Sequence, residues 1–282
     1  MQKKTKSAKL LSNQELQDFC SMIKGFYKQN KRYFPWRMTD DSYAIFVSEV
    51  MLQQTQTERV VRKYEQFMQH FPSWQSVAQS SLHEIMKLWQ GLGYNRRARV
   101  VFEGAQKIVN VYQGLMPSDP VILETFYGIG AATAGSLCAF AYNMPTVFIE
   151  TNIRSVFLHT FFNKGMKVTD AVLMPLIAQT LDQTNPREWY YALMDYGVFL
   201  KKNGPNPSLR SAHHTKQKRF IGSDRQLRGK IIVLLTQADK QKLPLNFIIK
   251  MLRSNDQKIK KLIQDLIKEK LLQENKGMLS IP

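Results

Sequence analysis

Two carboxylates and one glycine-rich turn are the residues of this sequence best placed to do chemistry. Glu49 stands in "SEVMLQQTQ", beside Val47, Val50 and Met51 and ahead of a run of uncharged amides. Apolar neighbours disfavour the charged form of a carboxyl and raise its pKa, which is the condition for a proton donor near neutral pH. A surface glutamate at the edge of an apolar stripe would look the same in sequence. Glu150, in "PTVFIETNIRSVF", lies at the break between an apolar run and a new helix, with Thr151 or Asn152 able to cap it. A carboxylate there is either a reacting group or a simple complement to the helix dipole. Gly128-Ile129-Gly130, in "ETFYGIGAATAGSL", makes a tight turn between two helices. Glycines let the backbone approach a ligand closely, and the amides of the next helix's N-terminus are a ready phosphate site.

The elements that must hold these residues read as helices. "YAIFVSEVM" places Tyr43, Phe46, Val47, Val50 and Met51 on one stripe, and "LHEIMKLW" and "RARVVFEGAQKIVNVY" keep the same period. "TAGSLCAFAY" is small and apolar, as in a buried helix, while alternating extended segments are scarce. Pro and Gly punctuate the pattern at "FPW", "HFPSW", "GLGY", "MPSDP" and "YGIG". Ser118 or Asp119 is a candidate cap for the helix around "PVILETF". The stretch Lys201 to Lys230 carries nine Lys and Arg against one Asp, with Pro, Gly and Ser throughout. Beyond it come three amphipathic helices and a hairpin around Asn275 to Gly277, a pattern that predicts a winged-helix-like module.

Bulk composition narrows the partner. Forty Lys and Arg against 22 Asp and Glu leave a net charge of +18 on 282 residues, of which 44% are hydrophobic. Such a balance points to a polyanion, most often nucleic acid. No run of about 18 apolar residues predicts a membrane span. The basic N-terminus lacks the apolar stretch of a signal peptide, so a cytoplasmic, nucleoid-associated protein is expected. Cys20 and Cys138 are the two cysteines present, and no cysteine motif has metal spacing.

"FPWR", "VSEVMLQQTQ", "LWQGLGYNRRAR", "PSDP", "GIGAATAG" and "IETNIRSV" occur in an order and at a spacing that resemble the helix–hairpin–helix DNA glycosylase superfamily. Within it, the chain most resembles the adenine DNA glycosylases that act on A·G and A·8-oxoguanine mismatches. The resemblance covers roughly Phe34 to Phe199. It implies that Glu49 faces a pocket for a flipped-out base and protonates its ring nitrogen. It implies that Glu150 stabilises an oxocarbenium-like sugar and handles the attacking nucleophile, in parallel with glycoside hydrolysis. Gln53 and Gln54 match positions that wedge into the duplex, and Tyr94 matches a tyrosine that stacks into DNA. Arg96, Arg97 and Arg99 are expected to meet phosphates. Gly128, Ile129, Gly130, Thr133 and Asn152 are expected among the DNA contacts, with a monovalent cation at the hairpin. A basic face or a capping aromatic would explain some of these residues equally well.

The chain departs from the family's pattern in three ways. Glu150 stands where the family has aspartate, which moves the charge by about one bond length and can cost rate. Ala132 stands where bifunctional members carry a lysine, and alanine forms no Schiff base, so a monofunctional glycosylase is expected. The segment after Phe199 holds no cysteine, so no iron–sulfur cluster is expected and His213 and His214 cannot replace one. Lys216, Lys218 and Arg219 are the expected basic contacts in its place. In place of the family's larger C-terminal domain that senses 8-oxoguanine, a winged-helix-like module is expected.

The expected class is all-α: a helix–hairpin–helix glycosylase fold of two helical subdomains plus a small C-terminal winged-helix-like module. The expected boundaries are a basic tail over 1–10, the glycosylase domain over 11–200, a basic linker over 201–224 and the module over 225–282. The expected partner is double-stranded DNA with a mismatch or lesion, bound by a monomer and not by a membrane. Two other readings stay open: removal of thymine or uracil opposite guanine, and a non-catalytic DNA-binding protein read mainly through the winged helix.

Overall fold

The computed structural model describes residues 10–163, 165–215, 219–238 and 241–282. The helices in chain order are α1 (Asn13–Asn30), α2 (Ser42–Leu52), α3 (Thr57–His70), α4 (Trp74–Ala78), α5 (Leu82–Trp89), α6 (Arg96–Tyr112) and α7 (Pro120–Glu124). They continue as α8 (Ala131–Tyr142), α9 (Thr151–Phe161), α10 (Asp170–Thr180), α11 (Pro186–Asn203), α12 (Asp224–Thr236), α13 (Leu245–Leu252) and α14 (Asp256–Lys268). Short strands β1 (Lys242–Pro244), β2 (Gln273–Asn275) and β3 (Met278–Ser280) form an antiparallel sheet in the order β1-β3-β2. Local chemistry starts and stops these helices. Ser12 with Glu15 and Ser81 with Glu84 make reciprocal capping boxes for α1 and α5. Asp119 accepts from the Val121 amide at 2.8 Å at the start of α7. Gln113 and Asn143, both left-handed, close α6 and α8.

The described residues divide into two compact units. One comprises 10–40, 118–121 and 130–215, and is built from α1 and α8–α11. Its core joins Phe19 to Phe157 and Trp189, with ring centroids 5.4 and 6.0 Å apart, and stacks Phe140 on Tyr191. Buried Asp195 on α11 is satisfied by two guanidiniums: Arg32 donates through Nε at 2.7 Å, and Arg37 donates at 2.9 and 3.0 Å. Pairing of this kind is what lets a carboxylate stay inside. Lys201 and Lys202, read from sequence as the start of a linker, complete the last turn of α11. The chain then packs back on its own unit: Arg210 donates to the carbonyls of Leu158, Phe162 and Asn163.

The other unit comprises 41–117, 122–129 and 219–282. Its centre is α2, where Tyr43 to Ser48, Val50 and Met51 are all buried. Phe46 lies over Gly104 of α6, where an added Cβ would come within 2.7 Å of the ring. The all-α class with a small winged-helix-like module is what forms; β1, only three residues long, had no sequence signal. That module belongs to the same compact unit as α2–α6. Its α12 packs on α5, Arg99 of α6 donates to the Glu269 carbonyl, and the His83 amide donates to the Pro282 carbonyl at 3.2 Å. Among the described residues no helix is long and apolar enough to cross a membrane.

Candidate active-site and DNA-contacting residues

Glu49 is the half-buried position in a helix that is otherwise buried from Tyr43 to Met51. Ser48 and Val50 on either side are 1% and 0% exposed. Glu49 is thus the one position of this run that is not buried. Helix α2 ends at Leu52, and Gln53 and Gln54 follow in a turn whose second residue has φ 55°. Gln54 is exposed and Gln53 is half-buried.

Arg97 requires a correction. It is not a phosphate contact but a buried clamp, 6% exposed. One guanidinium nitrogen, Nη1, donates to the carbonyls of Val50, Met51 and Gln53 at 3.0, 2.6 and 2.6 Å. The other, Nη2, donates to Thr55 Oγ1 at 2.9 Å and to the carbonyls of Leu92 and Gly93 at 3.3 and 3.2 Å. Burial pulls the guanidinium's pKa down to about 10, so it stays charged near neutrality. The physical reason is capping: the last carbonyls of a helix need donors, and a planar fork supplies several at once. Arg97 thereby ties the Gln53–Gln54 turn to the segment that leads into Tyr94. Arg99 is also buried, bonded to Glu103 at 2.7 Å, and it too is corrected from a phosphate contact to a structural one. Arg96 is exposed and donates to the Tyr127 hydroxyl at 3.3 Å. Tyr94 itself has φ 49°, and its hydroxyl accepts from Arg225 of α12 at 2.9 Å. No sequence signal pairs those two residues, which lie far apart in the chain.

The hairpin joins α7 to α8. Gly128 has φ 71°, and a Cβ there would come within 2.4 Å of Val100 Cγ2, so both its conformation and its contact exclude a side chain. The Ile129 side chain is 4% exposed and its amide donates to the Phe126 carbonyl at 3.1 Å. Its expected role as a DNA contact is therefore corrected to that of the hairpin's internal anchor. Gly128 and Gly130 are exposed. The first bond of α8 runs from the Ala134 amide to the Gly130 carbonyl at 2.9 Å, so the amides before it lie at the helix's positive end. Ala132 and Thr133 sit in that first turn, with Ala132 exposed.

Glu150 caps α9 itself, where the sequence had suggested Thr151 or Asn152. Its Oε1 accepts from the amides of Asn152 and Ile153 at 2.6 and 2.8 Å, and its Oε2 accepts from Asn152 Nδ2 at 3.1 Å. The usual caps are the shorter Ser, Thr, Asp and Asn, and here a glutamate oxygen accepts from two amides in that role. Lys201 Nζ, on the last turn of α11, donates to Asn152 Oδ1 at 2.8 Å. Burial lowers the pKa of this ammonium, against an opposing pull from Glu150. One turn on, Arg154 grips Asp170 through two bonds of 2.7 Å, and that pairing holds the Asp170 carboxyl below its usual range. Sequence reading missed Lys201 and the Arg154–Asp170 pair, because only the packing of α11 and α10 on α9 brings them there.

Arg219 is exposed, while Lys216 and Lys218 lie outside the described residues. Cys20 and Cys138 both have thiol pKa values raised by burial, Cys138 to about 11. Two such cysteines do not fit a four-thiolate cluster.

Residues 47–177 match the profile of the "HhH-GPD superfamily base excision DNA repair protein" family. The chain is 33% identical over 196 residues to the adenine DNA glycosylase of Homo sapiens, covering 65% of this chain and 36% of that protein. It is 30% identical over 228 residues to the adenine DNA glycosylase of Mycolicibacterium smegmatis, covering 74% of this chain and 78% of that protein. Among solved structures, a thermostable thymine-DNA glycosylase matches with a TM-score of 0.61 at 24% identity, over 69% of this chain and 91% of the other. The chain spans about half the length, or less, of several curated relatives that it matches.

Proposed function

This chain belongs to the HhH-GPD superfamily of base excision DNA repair proteins, and on that premise we propose that it is a DNA glycosylase hydrolysing the N-glycosidic bond of a mismatched adenine opposite guanine or 8-oxoguanine. The observation that carries the reading is Glu49: the half-buried position in a run otherwise buried from Tyr43 to Met51, in a chain whose relatives are adenine DNA glycosylases. Glu49 donates its proton to the adenine ring. The C–N bond then breaks with its electron pair going to the base, leaving an oxocarbenium-like sugar. Water adds at the anomeric carbon and passes its proton to Glu150, the carboxylate that the family resemblance assigns to the positive sugar. General acid catalysis of this kind contributes about 10²–10⁴-fold.

Ala132 supplies no amine, which favours a monofunctional enzyme whose product is an intact abasic strand. Double-stranded DNA is the partner that +18 of net charge favours, with the exposed glycines of the hairpin against the phosphate backbone and a monovalent cation bound there. The protein acts as a monomer in the cytoplasm, at the nucleoid, without an iron–sulfur cluster.

End-labelled duplexes carrying A·G, A·8-oxoguanine, T·G and U·G mismatches test the reading. The expected result is scission of the adenine strand alone, and only after hot alkali. Scission without alkali, or borohydride trapping above background, removes the monofunctional assignment. Release of thymine or uracil instead of adenine changes the substrate, and no release from any duplex overturns the enzyme.

A further inference from the structure

We propose that Lys201 is a positioning residue for the Glu150 carboxylate, acting through the side-chain amide of Asn152. The proposal rests on the functional reading above, and it concerns residues of one compact unit only.

Three observations carry it. The first is how α11 reaches α9. Gly197 of α11 lies so close to the start of α9 that a Cβ there would stand 2.4 Å from the Asn152 carbonyl oxygen and 2.8 Å from Asn152 Cβ. Lys201 is four residues further along α11, on the same face, so this close approach delivers its ammonium to the Asn152 side chain. The second is the bond itself, Lys201 Nζ to Asn152 Oδ1 at 2.8 Å. The third is the bond on the other side of the amide, Asn152 Nδ2 to Glu150 Oε2 at 3.1 Å.

Donor and acceptor types make the chain directional. An ammonium only donates, and an ionised carboxylate only accepts. An amide between them has one orientation that satisfies both, with its oxygen toward Lys201 and its nitrogen toward Glu150. Turning the amide over would set its NH2 against the ammonium and its oxygen against the carboxylate, losing both bonds. Lys201 therefore fixes the orientation of Asn152, and Asn152 fixes Oε2 while the amides of Asn152 and Ile153 fix Oε1. A glutamate has one more rotatable bond than an aspartate, and this network removes that freedom. The charged groups facing Lys201 are Glu150 and Arg154 of α9, and Arg154 is itself held by Asp170 of α10. Burial lowers the Lys201 pKa, and Glu150 partly offsets that effect. As pH rises through this lowered value the ammonium becomes an amine, which accepts as well as donates and no longer dictates the amide's orientation.

The test is single-turnover base release from an adenine-mismatched duplex at varied enzyme concentration and pH, with the wild type, Lys201→Met and Lys201→Arg. Lys201→Met is expected to lower the saturating rate by about 10–100-fold. The half-saturating enzyme concentration should move by less than about 3-fold, because the loss is in the chemical step and not in binding. Lys201→Arg keeps a donor-only cation and should recover most of the rate. The wild type should lose rate on the alkaline side below lysine's usual pKa, and Lys201→Arg should lack that limb because guanidinium does not deprotonate there. A melting curve for each variant separates misfolding from a catalytic loss, and the alkaline limb of the wild type against Lys201→Arg decides the matter even if Lys201→Met does not fold. The proposal is overturned by a Lys201→Met rate within two-fold of the wild type, by a loss confined to half-saturation, or by an unchanged alkaline limb in Lys201→Arg. It is also overturned by borohydride trapping that vanishes in Lys201→Met, which would make the lysine a nucleophile. A wild type that releases no adenine defeats the functional reading itself, a result distinct from all of these.

Discussion

Glu49 and Glu150, the two carboxylates of the proposed mechanism, differ in what surrounds them. Glu49 stands half-buried between Ser48 and Val50, which are both buried. Glu150 faces the amides of Asn152 and Ile153 at a helix's positive end, the arrangement in which carboxylate oxygens accept. Glu49→Gln keeps the size and polarity of the side chain but cannot donate a proton as an acid. It is expected to lower single-turnover base release by at least about 10²-fold while duplex affinity changes by only a few-fold. Gel-shift and quenched-flow measurements on one preparation check both halves, and full activity in the variant would remove Glu49 from the mechanism.

The decisive element is the turn after α2. Its carbonyls, and those leading into Tyr94, converge on the Arg97 guanidinium. Both segments also hold left-handed non-glycine residues, Gln54 and Tyr94, conformations that persist only where surrounding bonds enforce them. Arg97→Met removes the donors and leaves buried carbonyls unpaired, so a loss of about 2–4 kcal/mol in chemical denaturation is expected. Arg97→Lys should recover little of this, because a point charge cannot reproduce a fork that spans two segments. A lysine variant as stable as the wild type would show that charge alone, and not the planar geometry, holds the turn. The same rigidity should appear as slow exchange of the amides around Thr55 in the wild type and fast exchange in either variant.

At the scale of the whole molecule the dominant property is charge, 40 basic residues against 22 acidic. Part of that charge is already committed internally: Arg32 and Arg37 to Asp195, Arg154 to Asp170, Arg228 to Glu269, and Arg97 and Arg99 to backbone and side-chain acceptors. Only the remainder is available to phosphates. Neutralising Lys216, Lys218 and Arg219 together is expected to weaken matched and mismatched duplexes alike. The slope of log affinity against log salt should flatten by up to about 3 units, since each phosphate contact contributes about 0.9. A salt titration with the triple variant measures this directly, and an unchanged slope would make the segment a tether.

Helical class, turn positions, the helix start at Glu150 and the glycine hairpin were legible in the sequence, because apolar period, Pro and Gly placement and helix-start chemistry are local. The winged-helix-like module was legible for the same reason, apart from β1, whose three residues pair with β3 only after the chain has returned to them. What the sequence could not decide was which basic residues face solvent. Arg96, Arg97 and Arg99 look alike in "YNRRAR", yet the pitch of α6 leaves Arg96 outside and turns Arg97 and Arg99 inward, where carbonyls and carboxylates await them. Nor could it place Lys201 beside Asn152, since that contact exists only because Gly197 lets two helices from distant parts of the chain approach closely. Local patterns set which elements form. The partners of each buried charge follow from desolvation, which requires a mate for every such group and finds it through tertiary packing.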